Sequence, residues 1–171
     1  MSDFLVLEAV SKHFTVRSGM MGGTSALLKA VDQVSFSMDK GETLGMVGES
    51  GCGKSTLARL VVRLHKPSLG RVLFQGQDIW NSDSGFRDSF PRKVQMVFQD
   101  PFSSLNPRRT IGSTIGEVLA VNGVNSRSER KERVLSILDV VGLSSKHAER
   151  YPHEFSGGQR QRVAIARALV L

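Results

Sequence analysis

Apolar and polar positions alternate at the start of the chain. Leu5, Leu7 and Ala9 fall on one side of an extended segment and Val6 and Glu8 on the other, the period-two pattern of a strand. Val34, Phe36 and Met38 alternate with polar residues in the same way and predict a second strand. Between them, residues 18–25 (SGMMGGTS) read as a flexible glycine-rich insertion. Residues 43–47 form a short apolar strand that runs straight into a glycine loop. Residues 56–64 (TLARLVVRL) follow with helical character, closed by Pro67 and Gly70. Residues 72–74 predict a strand, Gln75-Gly76-Gln77 a turn, and residues 94–98 (VQMVF) a compact buried strand ending at Gln99.

Past residue 100 the texture turns helical. Residues 110–121 are a helix candidate in spite of their glycines. Ser126 and Glu129 have capping-box spacing, in which a hydroxyl and a carboxylate satisfy orphan amides at a helix start. Val134, Leu138 and Val141 then recur at helical spacing, and Gly142 predicts a left-handed helix end. Residues 144–150 predict a short turn or helix stopped before Pro152. Ser156 with Gln159 repeats the capping-box spacing and opens a helix over 158–169.

Composition narrows the class. A chain of 171 residues fits a single domain with a real core. Its 40% hydrophobic and 23% charged content is ordinary for a globular protein. No run reaches the apolar length that spans a bilayer, and the first residues lack the basic-then-apolar order of a signal peptide. The single cysteine, Cys52, excludes an internal disulfide and suits a reducing cytosol. The histidines His13, His65, His147 and His153 are scattered, with none at metal-site spacing. Net charge is +7. The basic residues spread over 59–66, 108–109, 127–133 and 160–167 and are not gathered around exposed aromatics, as a single-strand nucleic-acid binder requires. The charge therefore reads as a basic surface.

The chemistry lies in two glycine motifs. Gly48-Glu49-Ser50-Gly51-Cys52-Gly53-Lys54-Ser55 has the spacing of a phosphate-cradling loop, with an apolar run before it and a helix after it. Glycines at 48, 51 and 53 let the backbone curl around an anion with successive N–H groups inward. The helix starting near Lys54 adds its positive dipole end. Lys54 supplies a mobile ammonium for the outer phosphates, the Ser55 hydroxyl is a ligand for Mg²⁺, and Thr56 extends the hydroxyl set toward the inner phosphates. Cys52 reads as a small residue that fits the loop, although a modified thiol there would obstruct the nucleotide. The second motif, Ser156-Gly157-Gly158-Gln159 within FSGGQRQR, offers a serine cap and two glycine amides to an anion.

With FSGGQRQR following a phosphate loop by about a hundred residues, the chain resembles the nucleotide-binding subunits of ABC transporters over essentially its whole length. The stretch QDPFSSLNPR at 99–108, YPHEF at 151–155 and the insertion before Ala30-Val31-Asp32 are similar to the dipeptide, oligopeptide and nickel importer branch. The resemblance implies an α/β P-loop NTPase (RecA-like) core with an antiparallel β subdomain and an inserted helical subdomain. In one domain over 1–171, the core and β subdomain would take 1–98 and 158–171, and the helical subdomain 99–157. It implies that Gln99 touches Mg²⁺ and the attacking water and that Phe14 packs on the adenine of ATP. Ser156, Gly157, Gly158 and Gln159 would reach the γ-phosphate of ATP held by a second such subunit, in a homodimer or heterodimer.

Further expectations follow from the same likeness. The stretch Asp100–Arg108, otherwise a surface loop stiffened by Pro101 and Pro107, would face the coupling helix of a membrane permease, at the cytoplasmic face of the inner membrane, with an extracellular solute-binding protein delivering cargo. Family members continue past the signature helix into an apolar strand ending in Asp-Glu, a D-loop and a switch histidine, none of which is among these 171 residues. The 171-residue chain alone is therefore expected to be marginally stable and poor at hydrolysis. Two other readings stand beside the importer ATPase: a non-hydrolysing fragment that binds nucleotide or permease, and a soluble ABC ATPase acting on nucleic acid. The importer-like stretch at 99–108 weighs against the latter.

Overall fold

The computed structural model describes residues 3–17, 25–100 and 105–171. The chain is an α/β protein whose residues cluster into two compact units, Met1–Lys93 and Val94–Leu171. The insertion expected at 18–25 lies, Ser25 apart, outside the described residues, as does the Pro101 part of the stretch at 99–108.

The first unit is built on an antiparallel sheet in the order β2-β1-β3-β4. Its long hairpin is β1 (Leu5–Arg17) with β2 (Ser25–Met38), both longer than the alternation predicts. Register shifts break the pairing near Ala9 and Gln33, and both residues take positive φ, 46° and 49°, which marks bulges. Two serines hold these irregularities: the Ser35 hydroxyl accepts from the Ala9 N–H and the buried Ser11 hydroxyl from the Gln33 N–H, each at 2.8 Å. The bulges interrupt the period-two pattern, which is why the sequence shows only the strand ends. β3 (Leu69–Phe74) pairs with β1 and returns through Gln75 and Gly76, both at positive φ, into the short β4 (Gln77–Asp78). A two-residue loop with both residues left-handed matches the sheet twist.

Helix α1 (Lys54–Val61) buries Leu57 and Leu60. It ends in a Schellman pattern with Arg63 at φ 62°, where Arg63 N–H reaches Leu60 O and Leu64 N–H reaches Arg59 O. Helix α2 (Ser84–Lys93) is absent from the sequence reading because Pro91 sits in its last turn and its apolar stripe is only Phe86 and Phe90. Asp83 opens it by accepting from the Phe86 N–H at 2.8 Å, and Phe90 packs edge-on against Phe74 at 5.5 Å.

Two strands expected from apolar runs do not form. Residues 43–47 and 94–98 have no ladder partner among the described residues, and Leu44, Met46, Val47, Val97 and Phe98 are exposed. An apolar run signals a preference for burial, whereas a strand also needs a neighbouring backbone edge to bond with.

The second unit is helical: α3 (Ile111–Val121), α4 (Arg127–Val140), two 3-10 turns (Ser145–Glu149 and Pro152–Glu154) and α5 (Gly157–Leu169). Ile111, Ile115, Leu119, Val134, Leu138, Phe155 and Val163 form its core. Gly112 lets α3 close on the first 3-10 turn, since a Cβ there would stand 2.9 Å from the Ala148 carbonyl oxygen. Thr110 and Ser126 cap α3 and α4. The box expected at Ser126 is only half made, because the Glu129 carboxylate turns outward to accept from Arg133 Nη2 at 2.7 Å. Gly142, at φ 72°, ends α4 as expected, with Gly142 N–H on Asp139 O and Leu143 N–H on Leu138 O.

Candidate functional site

The glycine loop at 48–53 leads directly into α1, and its geometry answers to two neighbours. Gly53 is the N-cap of α1 at φ 97°, a left-handed position that favours glycine. A Cβ on it would stand 2.2 Å from the Ala30 carbonyl oxygen of β2, so β2 backs the loop directly. Gly48 faces Cys52, whose Sγ would be 2.7 Å from a Cβ on Gly48. The Lys54 ammonium folds over the loop and donates to the carbonyls of Gly48 at 2.7 Å and Glu49 at 2.6 Å, with Cys52 Sγ at 3.4 Å. Gly51, also left-handed at φ 85°, completes the bend. Glu49, Ser50 and Cys52 lie exposed on it, as does Ser55, while Thr56 is half-buried.

This arrangement fits a polyphosphate. It places one ammonium among loop carbonyls, with hydroxyls at the head of a helix whose first turn carries no acidic side chain. Among the described residues, no group of three His, Cys, Asp or Glu side chains is placed to hold a metal, and the hydroxyl that the loop itself would offer a phosphate-borne Mg²⁺ is that of Ser55. Beside the loop, a cleft of about 590 Å³ is walled by Val31, Val34, Phe36, Leu44, Met46 and Leu57, with Lys54 also on its lining.

Phe14 does not line that cleft. Its half-buried ring meets His65 edge-on at 5.7 Å and carries the Lys12 ammonium 5.2 Å from its centroid. The residues that touch Phe14 and the loop had no motif in the sequence to announce them. Lys12, His65 and the Ala30 carbonyl are brought there by strand pairing and by the turn after α1.

In the second unit, Gln99 is exposed on an irregular segment and not at the end of a strand. The second glycine motif forms the head of α5. The Ser156 hydroxyl accepts from the Gln159 N–H at 3.3 Å, and the Gln159 side-chain oxygen accepts from the Ser156 N–H at 3.0 Å, closing the box read from the sequence. Gly157 and Gly158 are exposed, and a Cβ on either would meet nothing within 4 Å. Packing therefore does not require glycine at 157 or 158. Buried Phe155 anchors the turn beneath, with the His147 ring 5.4 Å away. The Tyr151 N–H is capped by Glu154 at 2.7 Å and the Ser144 N–H by His147 Nδ1 at 2.9 Å. Both boxes escaped the sequence reading because Tyr and His are not usual at those positions.

A glycine loop gripped by its own lysine at the head of a helix, on an α/β scaffold, defines a P-loop nucleotide-binding protein. The chain belongs to the ABC transporter family, which matches residues 31–171. It is 55% identical over 168 residues to the oligopeptide transport ATP-binding protein AppF of Bacillus subtilis, covering 98% of this chain and 51% of that protein. It is 47% identical to the dipeptide transport ATP-binding protein DppF of Escherichia coli, covering 97% of this chain and 50% of that one. The chain thus spans about half the length of these relatives. Among solved structures, the dimeric ATP-binding cassette MJ0796 bound to ADP and Pi superposes with a TM-score of 0.79 at 31% identity, covering 97% of this chain and 69% of that one.

Proposed function

We propose that this chain is the ATP-binding part of an importer subunit that couples ATP binding and hydrolysis to uptake of peptides or related small solutes. The observation that carries the reading is the Lys54 ammonium on the Gly48 and Glu49 carbonyls, ahead of a helix that begins at a left-handed glycine. Residues Gly48 to Thr56 hold the phosphates of one ATP, with Phe14 against its base. Ser55 and Gln99 serve the Mg²⁺ that travels with the phosphates and neutralises their charge. Ser156, Gly157, Gly158 and Gln159 present a capped helix start to the γ-phosphate held by a second subunit, so the working unit is a dimer. The stretch from Asp100 to Arg108 faces the permease at the inner surface of the membrane, and a solute-binding protein supplies cargo from outside. Among the described residues, no helix is long and apolar enough to cross a membrane. Identity with peptide transport proteins over nearly the whole chain supports the choice of substrate class.

Calorimetric titration with Mg-ATP tests the reading. The chain is expected to bind, and Lys54→Ala to remove binding while leaving the far-UV spectrum unchanged. Equal binding by the variant would overturn it. Co-purification with a peptide permease, against salt-sensitive binding to DNA or RNA, separates the importer from an ATPase acting on nucleic acid.

A further inference from the structure

Phe14 is held in a clasp made by residues on two elements. The Lys12 ammonium lies 5.2 Å from the ring centroid and donates to the Lys66 carbonyl at 2.8 Å. His65 meets the ring edge-on at 5.7 Å with an interplanar angle of 79°. The backbone on either side is tied to the same turn: the His13 N–H donates to Ser68 Oγ at 3.0 Å, and the Ser68 N–H donates to the Ser11 carbonyl at 2.7 Å. That turn, residues 65–68, directly follows the helix whose first residue is Lys54. The ring is therefore fixed to the far end of the helix that carries the phosphate loop.

An ammonium over an aromatic face is attracted by the ring's quadrupole, and an edge-on neighbour sets the ring plane. Together they give the Phe14 ring a defined orientation. We propose that Lys12 and His65 are positioning residues for a nucleotide base: they hold the Phe14 ring in the orientation in which it receives a purine. This rests on the reading of Phe14 as the base platform. The consequence is an affinity contribution that exists only for ligands carrying a base, because neither side chain reaches the phosphate loop's own hydrogen bonds.

The test compares ATP with tripolyphosphate, which has the phosphates and no base, by calorimetric titration at a temperature where thermal melts show each variant folded. Lys12→Met is expected to weaken ATP roughly two- to fivefold and to leave tripolyphosphate unchanged, with Lys12→Arg restoring ATP affinity. His65→Ala shifts ATP in the same direction, again without an effect on tripolyphosphate. Equal loss for both ligands, or no loss for ATP, overturns the proposal. Phe14→Ala is the control for the underlying reading, with an expected loss of roughly tenfold for ATP alone. If Phe14→Ala is silent while Lys54→Ala removes binding, the base platform is elsewhere and both readings fall. If Phe14→Ala costs affinity and Lys12→Met does not, only the clasp is refuted.

Discussion

Gly53 shows how much one residue can be asked to satisfy. It must adopt φ 97° and also let the Ala30 carbonyl oxygen approach to where a Cβ would collide. A left-handed backbone alone costs an L-residue about 1–2 kcal/mol. The clash adds a backbone shift at the point where the loop meets β2. Gly53→Ala is therefore expected to destabilise the chain by about 2 kcal/mol or more in a urea titration and to abolish nucleotide binding with it.

Asp78 is a residue-scale case of a different kind. Partial burial pushes its carboxyl up, but hydrogen bonds from the Trp80 N–H, the Asn81 side chain and the Asn81 N–H outweigh that and hold it below the ordinary value. A carboxylate with a depressed native value stabilises the fold above the usual carboxylate range of about 4. That contribution fades as pH falls through this range and is gone below the native value. Stability of the wild type minus that of Asp78→Asn should thus shrink between pH 6 and pH 3, and a difference independent of pH would refute the assignment.

At the scale of elements, helix ends were the most legible feature. The Ser156 box and the Gly142 stop each need only a few consecutive residues, so their spacing in the sequence is nearly the whole of their structure. The Ser126 box failed on one point, since a long-armed Glu129 found an arginine one turn ahead. Ser156→Ala is expected to cost about 1 kcal/mol through the lost cap, and Ser156→Gly only a few tenths. Under the proposed function, this helix start meets the γ-phosphate held by a second subunit, and both variants are expected to lower ATP turnover of the assembled transporter. Intact turnover in Ser156→Gly would show the hydroxyl to be a cap alone. Helix α2 was invisible to the same reasoning because its two phenylalanines and internal proline do not make a periodic pattern until Phe74 supplies their packing surface.

At the scale of the whole molecule, the second unit has a closed apolar core. Leu138→Ala is expected to cost about 2–5 kcal/mol in chemical denaturation, as deletions from a fully buried site do. The first unit presents a different surface. Val47 is 94% exposed and Leu44 and Met46 stand open beside it, on backbone with no ladder partner among the described residues, an arrangement that invites association. The 171-residue chain on its own should bind an apolar dye and elute above its monomer size in a concentration-dependent way. Val47→Lys should reduce both effects, and a dye-silent monomer would refute this account.

The sequence by itself determined what is encoded within a few neighbouring residues: the phosphate loop and its lysine, the capped glycine turn at Ser156, the left-handed stop at Gly142, and an α/β class. Tertiary structure decided everything that depends on a distant partner. It decided that residues 43–47 and 94–98 carry apolar side chains without becoming strands, because a ladder needs a second backbone. It decided that Gly53 is required by β2 as well as by its own loop. It also placed Lys12 and His65 around Phe14, through strand pairing and a turn that no local pattern specifies.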